Sequence, residues 1–424
     1  MENKSENLLQ EPELSRRTAL KVLATAGAVL ALPGVRAKEN KTDCQYNYNN
    51  SINYQGLHQA GVVTPEQKNA SFIAFSVTSK TIDELQTIFA LLTERIAWLT
   101  QPHQAQSSGN DKLPPAESGI LGTYLQPDLL TVTVALGDSL FDNRFGLEKI
   151  KPVHLCKMTP FPNDRLEQQW CGGDILLQIC ANSQESVIYA LRDILRHLSP
   201  YCFPLWKIDG FLPSRDIDNH TTPINLFGFK DGTGNAPADD ISLMNELIWI
   251  NSGHKERGWC EGGTYQAVRL IRFNLEFWDR TPLEDQENDF GRYKDTGAPV
   301  GMKNEHDDPA FDKDPHGDRI LFDSHMRRAE PRNPVRHTAK LRRRSYSYSL
   351  GLTDAGGLDM GLIFVSYQRN LKTGFIDTQN RLNGEPLERY IKPFGGGYYF
   401  VLPGVRDSNE VLAEKMFTAL RQDN

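Results

Sequence analysis

Apolar positions return along this chain in two rhythms, one suited to strands and one to helices. Residues 71–77 (SFIAFSV) form a short, nearly continuous apolar run of the length of a buried strand. Thr81, Ile82, Asp83 and Glu84 then make a capping box, which opens a helix whose apolar positions Ile82, Leu85, Ile88, Leu92, Ile96 and Leu99 recur at three and four. Residues 130–135 alternate as a strand should, and residues 174–181 read as another. A helix from Ser183 follows with Val187, Leu191, Ile194 and Leu198 on one face, and residues 205–211 close the set. The order is βαββαβ, the ferredoxin-like arrangement in which helices cover one face of an antiparallel sheet.

A fainter copy of the same order follows. Strand patterns at 266–278, 345–352, 362–368 and 398–402 surround a short helix near 371–382, and an amphipathic helix over 408–421 ends the chain. The predicted fold class is therefore α+β, with duplicated ferredoxin-like (βαββαβ) domains and antiparallel sheets, one over 71–215 and one over 216–424. The second copy carries a long insertion, residues 279–344, rich in Asp, Arg, His and Pro; loops of that length are usually functional or disordered.

Before the first strand, residues 38–70 are polar and Asn-rich and read as a linker. Residues 1–37 carry Arg16–Arg17, then a modest apolar run over 22–32 and a small-residue end at Ala37. That is the pattern of a twin-arginine export signal, and the run is too short to span a bilayer. It predicts export to the periplasm, a route used by proteins that fold first, commonly around a cofactor. At 424 residues with 39% apolar and 24% charged positions, the composition is that of an ordinary globular protein. A net charge of −7 argues against a nucleic-acid surface. The six cysteines form no Cys-x-x-Cys, so neither a zinc ribbon nor covalently attached haem is supported, and scattered buried thiols are expected.

The candidate chemistry starts at residues 228–235, GFKDGTGN, where Gly228, Gly232 and Gly234 surround Asp231. Glycine is used where the backbone needs positive φ or lets something approach closely. Among the histidines, His325 stands out because Ile320, Leu321 and Phe322 carry the chain into the core just before it. His306 and His316 lie in NEHDDPAFDKDPHGD, which reads as a solvated acidic loop with a cation site as the less favoured alternative. Eighteen residues after His325 stands Arg343, within the triplet Arg342-Arg343-Arg344 at the mouth of a strand. An arginine there is surface decoration unless it points inward, where it must be paired.

These segments together resemble a known family. GFKDGTGN, GGTYQAVRLIRFNLEFWDR (262–280), FGRYKDTGAPV (290–300), SHMRRAEPR (324–332) and PLERYIKPFGGGYYFVLPG (386–404) are similar to motifs of the dye-decolourising haem peroxidases, in the expected order across most of residues 60–420. The resemblance implies a fold of the dimeric α+β barrel superfamily and one non-covalent haem b per chain. With the export signal, it points to the iron-uptake branch, whose members are described as peroxidases and deferrochelatases. It makes His325 the proximal haem ligand, Asp231 the distal acid or base, and Arg343 the distal cation. Gly232, Thr233, Gly234 and Asn235 would border the cofactor, the glycines letting the loop lie flat against the macrocycle. A carboxylate on the second nitrogen of His325 is also implied, with Glu385 the candidate by spacing and Glu388 close behind. Hydrogen peroxide and an organic donor are the implied substrates; iron-uptake membrane components and a homodimer are the implied partners. The alternative within the same resemblance is a haem-binding iron-acquisition protein whose peroxidase turnover is incidental. Two departures stand out: Glu330 where the family usually has Asn, and Ser345 where Gly is common. Because a carboxylate titrates near ~4 and an imidazole near neutrality, a distal aspartate predicts turnover favoured in mildly acidic conditions.

Overall fold

The computed structural model describes residues 50–331 and 341–423; the predicted export signal and residues 38–49 of the predicted linker lie outside them. The principal elements are β1 (Asn69–Val77), α1 (Ile82–Leu99), β2 (Thr131–Gly137), β3 (Ile175–Ala181), α2 (Gln184–Leu198) and β4 (Cys202–Phe211) in the first half. The second half supplies β5 (Thr264–Phe273), β6 (Tyr346–Leu352), β7 (Leu358–Gln368) and β8 (Ile391–Val401).

The capping box forms as its residues dictate: Thr81 accepts from the Glu84 amide and Glu84 returns to the Thr81 amide. The periodic apolar face of α1 then buries Leu85, Ile88, Phe89 and Leu92 completely against the sheet. Each such side chain contributes about 1.5–3 kcal/mol relative to exposure.

Strands pair in the order β5–β8–β2–β3–β1–β4–β6–β7, all antiparallel, and β7 pairs again with β5. The sheet therefore closes into a barrel. Each half contributes four strands in the same relative order, β2–β3–β1–β4 and β6–β7–β5–β8. Two junctions join the halves. Tyr399, Phe400 and Val401 of β8 pair with Gly137, Leu136 and Ala135 of β2, and Phe211 of β4 pairs with Ser347 of β6. The sequence pattern predicts two sheets; in the structure their edges satisfy one another, which removes the unpaired rows that open sheets must protect.

Strand alternation divides the core in two. Phe72, Leu176, Trp206, Ile208, Val268, Leu270, Tyr348, Val365 and Val401 belong to one buried cluster, to which all eight strands contribute. Ile73, Phe75, Val134 and Leu177 belong to a second, with α1 and α2 packed against them.

Three elements differ from the sequence pattern. The strand predicted over 266–278 stops at Phe273, because the Asn274 side chain accepts from the Phe277 amide and caps the short helix Leu275–Trp278. The helix near 371–382 begins as a π-type turn, Lys372–Ile376, before Asp377–Leu382 continues as α. The final helix is described from Glu414 to Asp423 rather than from 408. The five described cysteines are all free, and Cys44 lies outside the described residues.

Candidate active site

The insertion between β5 and β6 places a short helix, His325–Ala329, over a cavity of about 250 Å³. That helix is clamped at both ends. Arg327 donates to Asp314 Oδ2 at 2.9 Å and to the Ile320 carbonyl at 2.7 Å, while Arg381 donates to the carbonyls of Arg328 and Ala329. Its first residue, His325, lines the cavity, and its Nδ1 lies 2.7 Å from Glu385 Oε2. A carboxylate only accepts, so Nδ1 carries the proton and Nε2 is the nitrogen with no partner among the described residues. Glu385 is 4% exposed and sits at the start of the 3₁₀ turn Pro386–Arg389 without capping it, so its carboxylate is available to the imidazole. Glu388 is used otherwise, accepting from the Gly384 amide. Burial alone would lower the His325 pKa, but the charge and hydrogen bond of Glu385 outweigh it and raise the value.

Asp231 and Arg343 line the same cavity, as do Thr233 and Gly234. Arg343 Nη1 stands 3.1 Å from Asp231 Oδ1, yet the pair is not aligned as a hydrogen bond, and Oδ1 is buried with no donor among the described residues. The arginine triplet is explained by strand alternation. Arg342 donates to the Ala236 carbonyl, and Arg344 is held by the Thr64 and Pro65 carbonyls and Gln67, which leaves Arg343 to take the cavity side. All three are thus paired rather than decorating the surface.

The glycines around Asp231 serve different ends. Gly228 has φ +84°, and a Cβ there would stand 2.6 Å from Lys294 Cε. Gly232 has φ +132°, whereas a Cβ on Gly234 would meet nothing within 4 Å. Room for the Lys294 stem and positive φ account for the first two; only Gly234 is among the cavity residues. Gly232 and Asn235, expected to border the cofactor, do not line the cavity. Asn235 instead reads the backbone of Arg343, accepting from its amide at 2.9 Å and donating to its carbonyl at 2.8 Å, so it sets where that guanidinium starts.

Several lining residues escape sequence reading. Ile271 and Phe273 of β5 with Leu362 and Phe364 of β7 form an apolar wall, legible only once the pairing Leu362↔Ile271 is known. The first half contributes Asn163 and Asp164, the latter paired with the fully buried Arg269 of β5. The acidic loop is not solvated throughout. The Glu305 side chain is 13% exposed and accepts from Thr222, Thr233 and Lys230, and Asp314 is 5% exposed. No signal in NEHDDP separates the buried carboxylate from its neighbours. Among the described residues no His, Cys, Asp and Glu cluster could hold a metal ion, which leaves the alternative of a cation site near His306 and His316 without support.

A single imidazole with its second nitrogen anchored, an apolar wall, and a carboxylate with an orphaned oxygen in the same cavity suit a haem held by one histidine. The residues present fit that group: His325 offers Nε2 to the cavity, and Asp231 Oδ1 waits without a donor. The comparisons agree with this class. Residues 59–212 match the model for the N-terminal part of Dyp-type peroxidases, and residues 222–406 match that for the C-terminal part. The chain is 48% identical over 422 residues to the deferrochelatase of Shigella boydii serotype 4 (strain Sb227), covering 98% of this chain and 99% of that protein. It is also 48% identical over 416 residues to the deferrochelatase of Escherichia coli (strain K12), covering 97% and 98%. Among solved structures it is similar to a DyP-type peroxidase from Cellulomonas bogoriensis, with TM-score 0.76, 30% identity and coverage of 86% and 98%. It is likewise similar to ferric DtpA from Streptomyces lividans, with TM-score 0.77, 28% identity and coverage of 87% and 97%. The chain belongs to the Dyp-type peroxidase family, and haem is its non-covalent cofactor.

Proposed function

We propose that this chain is an exported haem peroxidase that reduces hydrogen peroxide with electrons from organic donors, and that the same cavity releases iron from haem. One observation carries the reading: His325, Asp231 and Arg343 share one cavity, with His325 Nδ1 committed to Glu385. Bound haem supplies the redox-active iron. His325 would hold it through Nε2, and Glu385, by accepting the hydrogen bond from Nδ1, would increase the basicity of that ligand and favour the oxidised metal. Asp231 Oδ1 accepts a proton from peroxide and returns it to the departing oxygen. The Arg343 guanidinium stabilises the negative charge that develops as the O–O bond breaks. Leu362 and Phe364 give the same space an apolar wall.

The names of the 48%-identical relatives support iron release as a second activity. The two are separated by incubating the haem-loaded protein anaerobically without peroxide and looking for metal-free porphyrin. Its appearance supports iron release; its absence, with peroxide-dependent dye oxidation intact, leaves the peroxidase alone. The absorption spectrum of His325→Ala tests the shared foundation: an unchanged Soret band in that variant would remove His325 as the ligand. Export rests on Arg16–Arg17 and the apolar run after them; with both arginines changed to lysine, the protein should accumulate in the cytoplasm. A homodimer and iron-uptake membrane partners rest on the family resemblance.

A further inference from the structure

We propose that Glu305 is the positioning residue for Asp231, an anchor in the insertion that holds the glycine-rich loop on both sides of the distal carboxylate. The inference rests on the peroxidase reading and extends it to a residue outside the motifs.

Asp231 has little to orient it locally. Among the described residues its Oδ1 has no hydrogen-bond donor, and its contact with Arg343 is an unaligned ion pair. The aim of the carboxylate is therefore set by its backbone, and that backbone is bordered by Gly232 and Gly234, which restrain it least. Before Asp231 the loop is closed as a turn, with the Gly228 amide donating to the Asn225 carbonyl, the Asn225 amide to the Phe229 carbonyl and the Asp231 amide to the Pro223 carbonyl at 2.8 Å. After it, the Asn235 amide donates to the Gly232 carbonyl at 2.8 Å and the Asn235 side chain is tied to Arg343.

Glu305 adds a side-chain restraint at the residues that flank Asp231. Oε1 accepts from Thr233 at 2.9 Å and from Thr222 at 2.5 Å, and Oε2 accepts from Lys230. Lys230 precedes Asp231 and Thr233 follows it by two, so one carboxylate grips the loop on either side and ties both to Thr222. Glu305 is itself fixed, since Arg292 Nη1 donates to its carbonyl at 3.0 Å and to that of Gly297 at 2.6 Å. Close packing seals the joint: a Cβ on Gly297 would stand 2.7 Å from Lys230 Cδ and 3.4 Å from Glu305 Cγ.

A proton-relay role fits less well. His306 Nε2 lies 3.9 Å from Glu305 Oε1 and is exposed, which offers a route from solvent. Burial would raise the Glu305 pKa, but the hydrogen bonds from Lys230, Thr222 and Thr233 more than offset it and lower the value. A carboxylate held ionised by three donors is a poor proton carrier and a good anchor.

The test uses Glu305→Gln, which keeps the shape and one acceptor while losing the charge. In the haem-free protein, amide hydrogen exchange over residues 228–235 should rise about tenfold or more, with the 325–329 helix unchanged. In the haem-loaded protein, kcat should fall about 10- to 100-fold, the effect of a displacement of order 1 Å, while donor KM and the Soret band stay as in wild type. The acidic limb of the rate profile should also move to lower pH, because the uncompensated Lys230 ammonium favours anionic carboxylates nearby. Glu305→Gln with Lys230→Met removes that cation and should restore the limb without restoring kcat, which separates tether from charge. Thr233→Val, a milder change, should move exchange and kcat in the same direction by less, and serves if Glu305→Gln fails to fold. Unchanged loop exchange together with unchanged kcat in Glu305→Gln would overturn the proposal. A wild-type protein that binds haem without oxidising donors would instead sink the peroxidase reading, and the exchange result would still judge the anchor.

Discussion

The two halves of the barrel share one strand order and use it for opposite ends. In the first half, the outward faces of β1, β2 and β3 present Phe75, Val134 and Leu177, and the long helices α1 and α2 pack over them. In the second half, β5 and β7 present Ile271, Phe273, Leu362 and Phe364, and short segments cover them incompletely, the His325–Ala329 helix and the Asp377–Leu382 helix among them. The space left is the active-site cavity. One strand order thus serves as scaffold in both halves, and most polar side chains of the cavity come from the half where short helices and an insertion stand in place of long helices.

If that division holds, damage to the site should leave the first half intact. The largest effect is expected from Asp231→Asn, which keeps size and hydrogen bonding while removing the base. A fall of about 10²–10⁴ in kcat, with thermal stability and the Soret band near wild type, would match the division. A loss below tenfold would move the proton transfer elsewhere.

The converse change lies in the first half. Leu177 is fully buried beneath the helices, and Leu177→Ala should cost about 2–5 kcal/mol of stability. Haem affinity and kcat measured on the folded fraction should not change. If both fall with stability, the two halves are coupled through the buried cluster that all eight strands share, and not only through the two strand junctions, of three and one residue pairs.

Smaller still is Glu385→Gln, which keeps an acceptor for His325 Nδ1 but not its charge. The axial ligand loses basicity, so the reduction potential of bound haem should rise and kcat fall by about 10- to 100-fold. An unchanged potential would mean that the 2.7 Å contact does not tune the ligand.

The same contrast explains what could be read from the chain alone. The first half was legible because amphipathic helices on a closed sheet announce themselves by period; α1 and its capping box lie where the spacing puts them. In the second half, motif residues pointed to Asp231, His325, Arg343 and Glu385, which the structure gathers around one cavity. Glu305 and Asp314 escaped because a buried carboxylate and a solvated one look alike within an acidic run, and only the fold brings Lys230 or Arg327 to them. The barrel was implied by the family resemblance and not by periodicity, since strand period gives the faces of a strand but not the partner beyond its edge.

Acid offers the gentlest way to separate the halves. Burial would raise the Asp314 pKa, but the amides of Ile320 and Arg319 and the Arg327 guanidinium lower it below its ordinary 3.8. A group with a depressed folded value contributes stability that is complete above its unfolded pKa and is lost as pH falls through the folded one. Glu305 is depressed likewise from 4.5, so both anchors of the insertion weaken in the same direction as acid is added. Between pH 5 and 3 at constant ionic strength, amide protection over 311–329 should therefore fall while protection in α1 persists. Asp314→Asn should remove most of that pH dependence near the His325 helix and lower its protection at pH 6, since the lost charge is the one Arg327 pairs with. Simultaneous loss of protection in α1 and in 311–329 would mean that the barrel unfolds as one unit, and that the insertion is held by the closed sheet rather than by its own carboxylates.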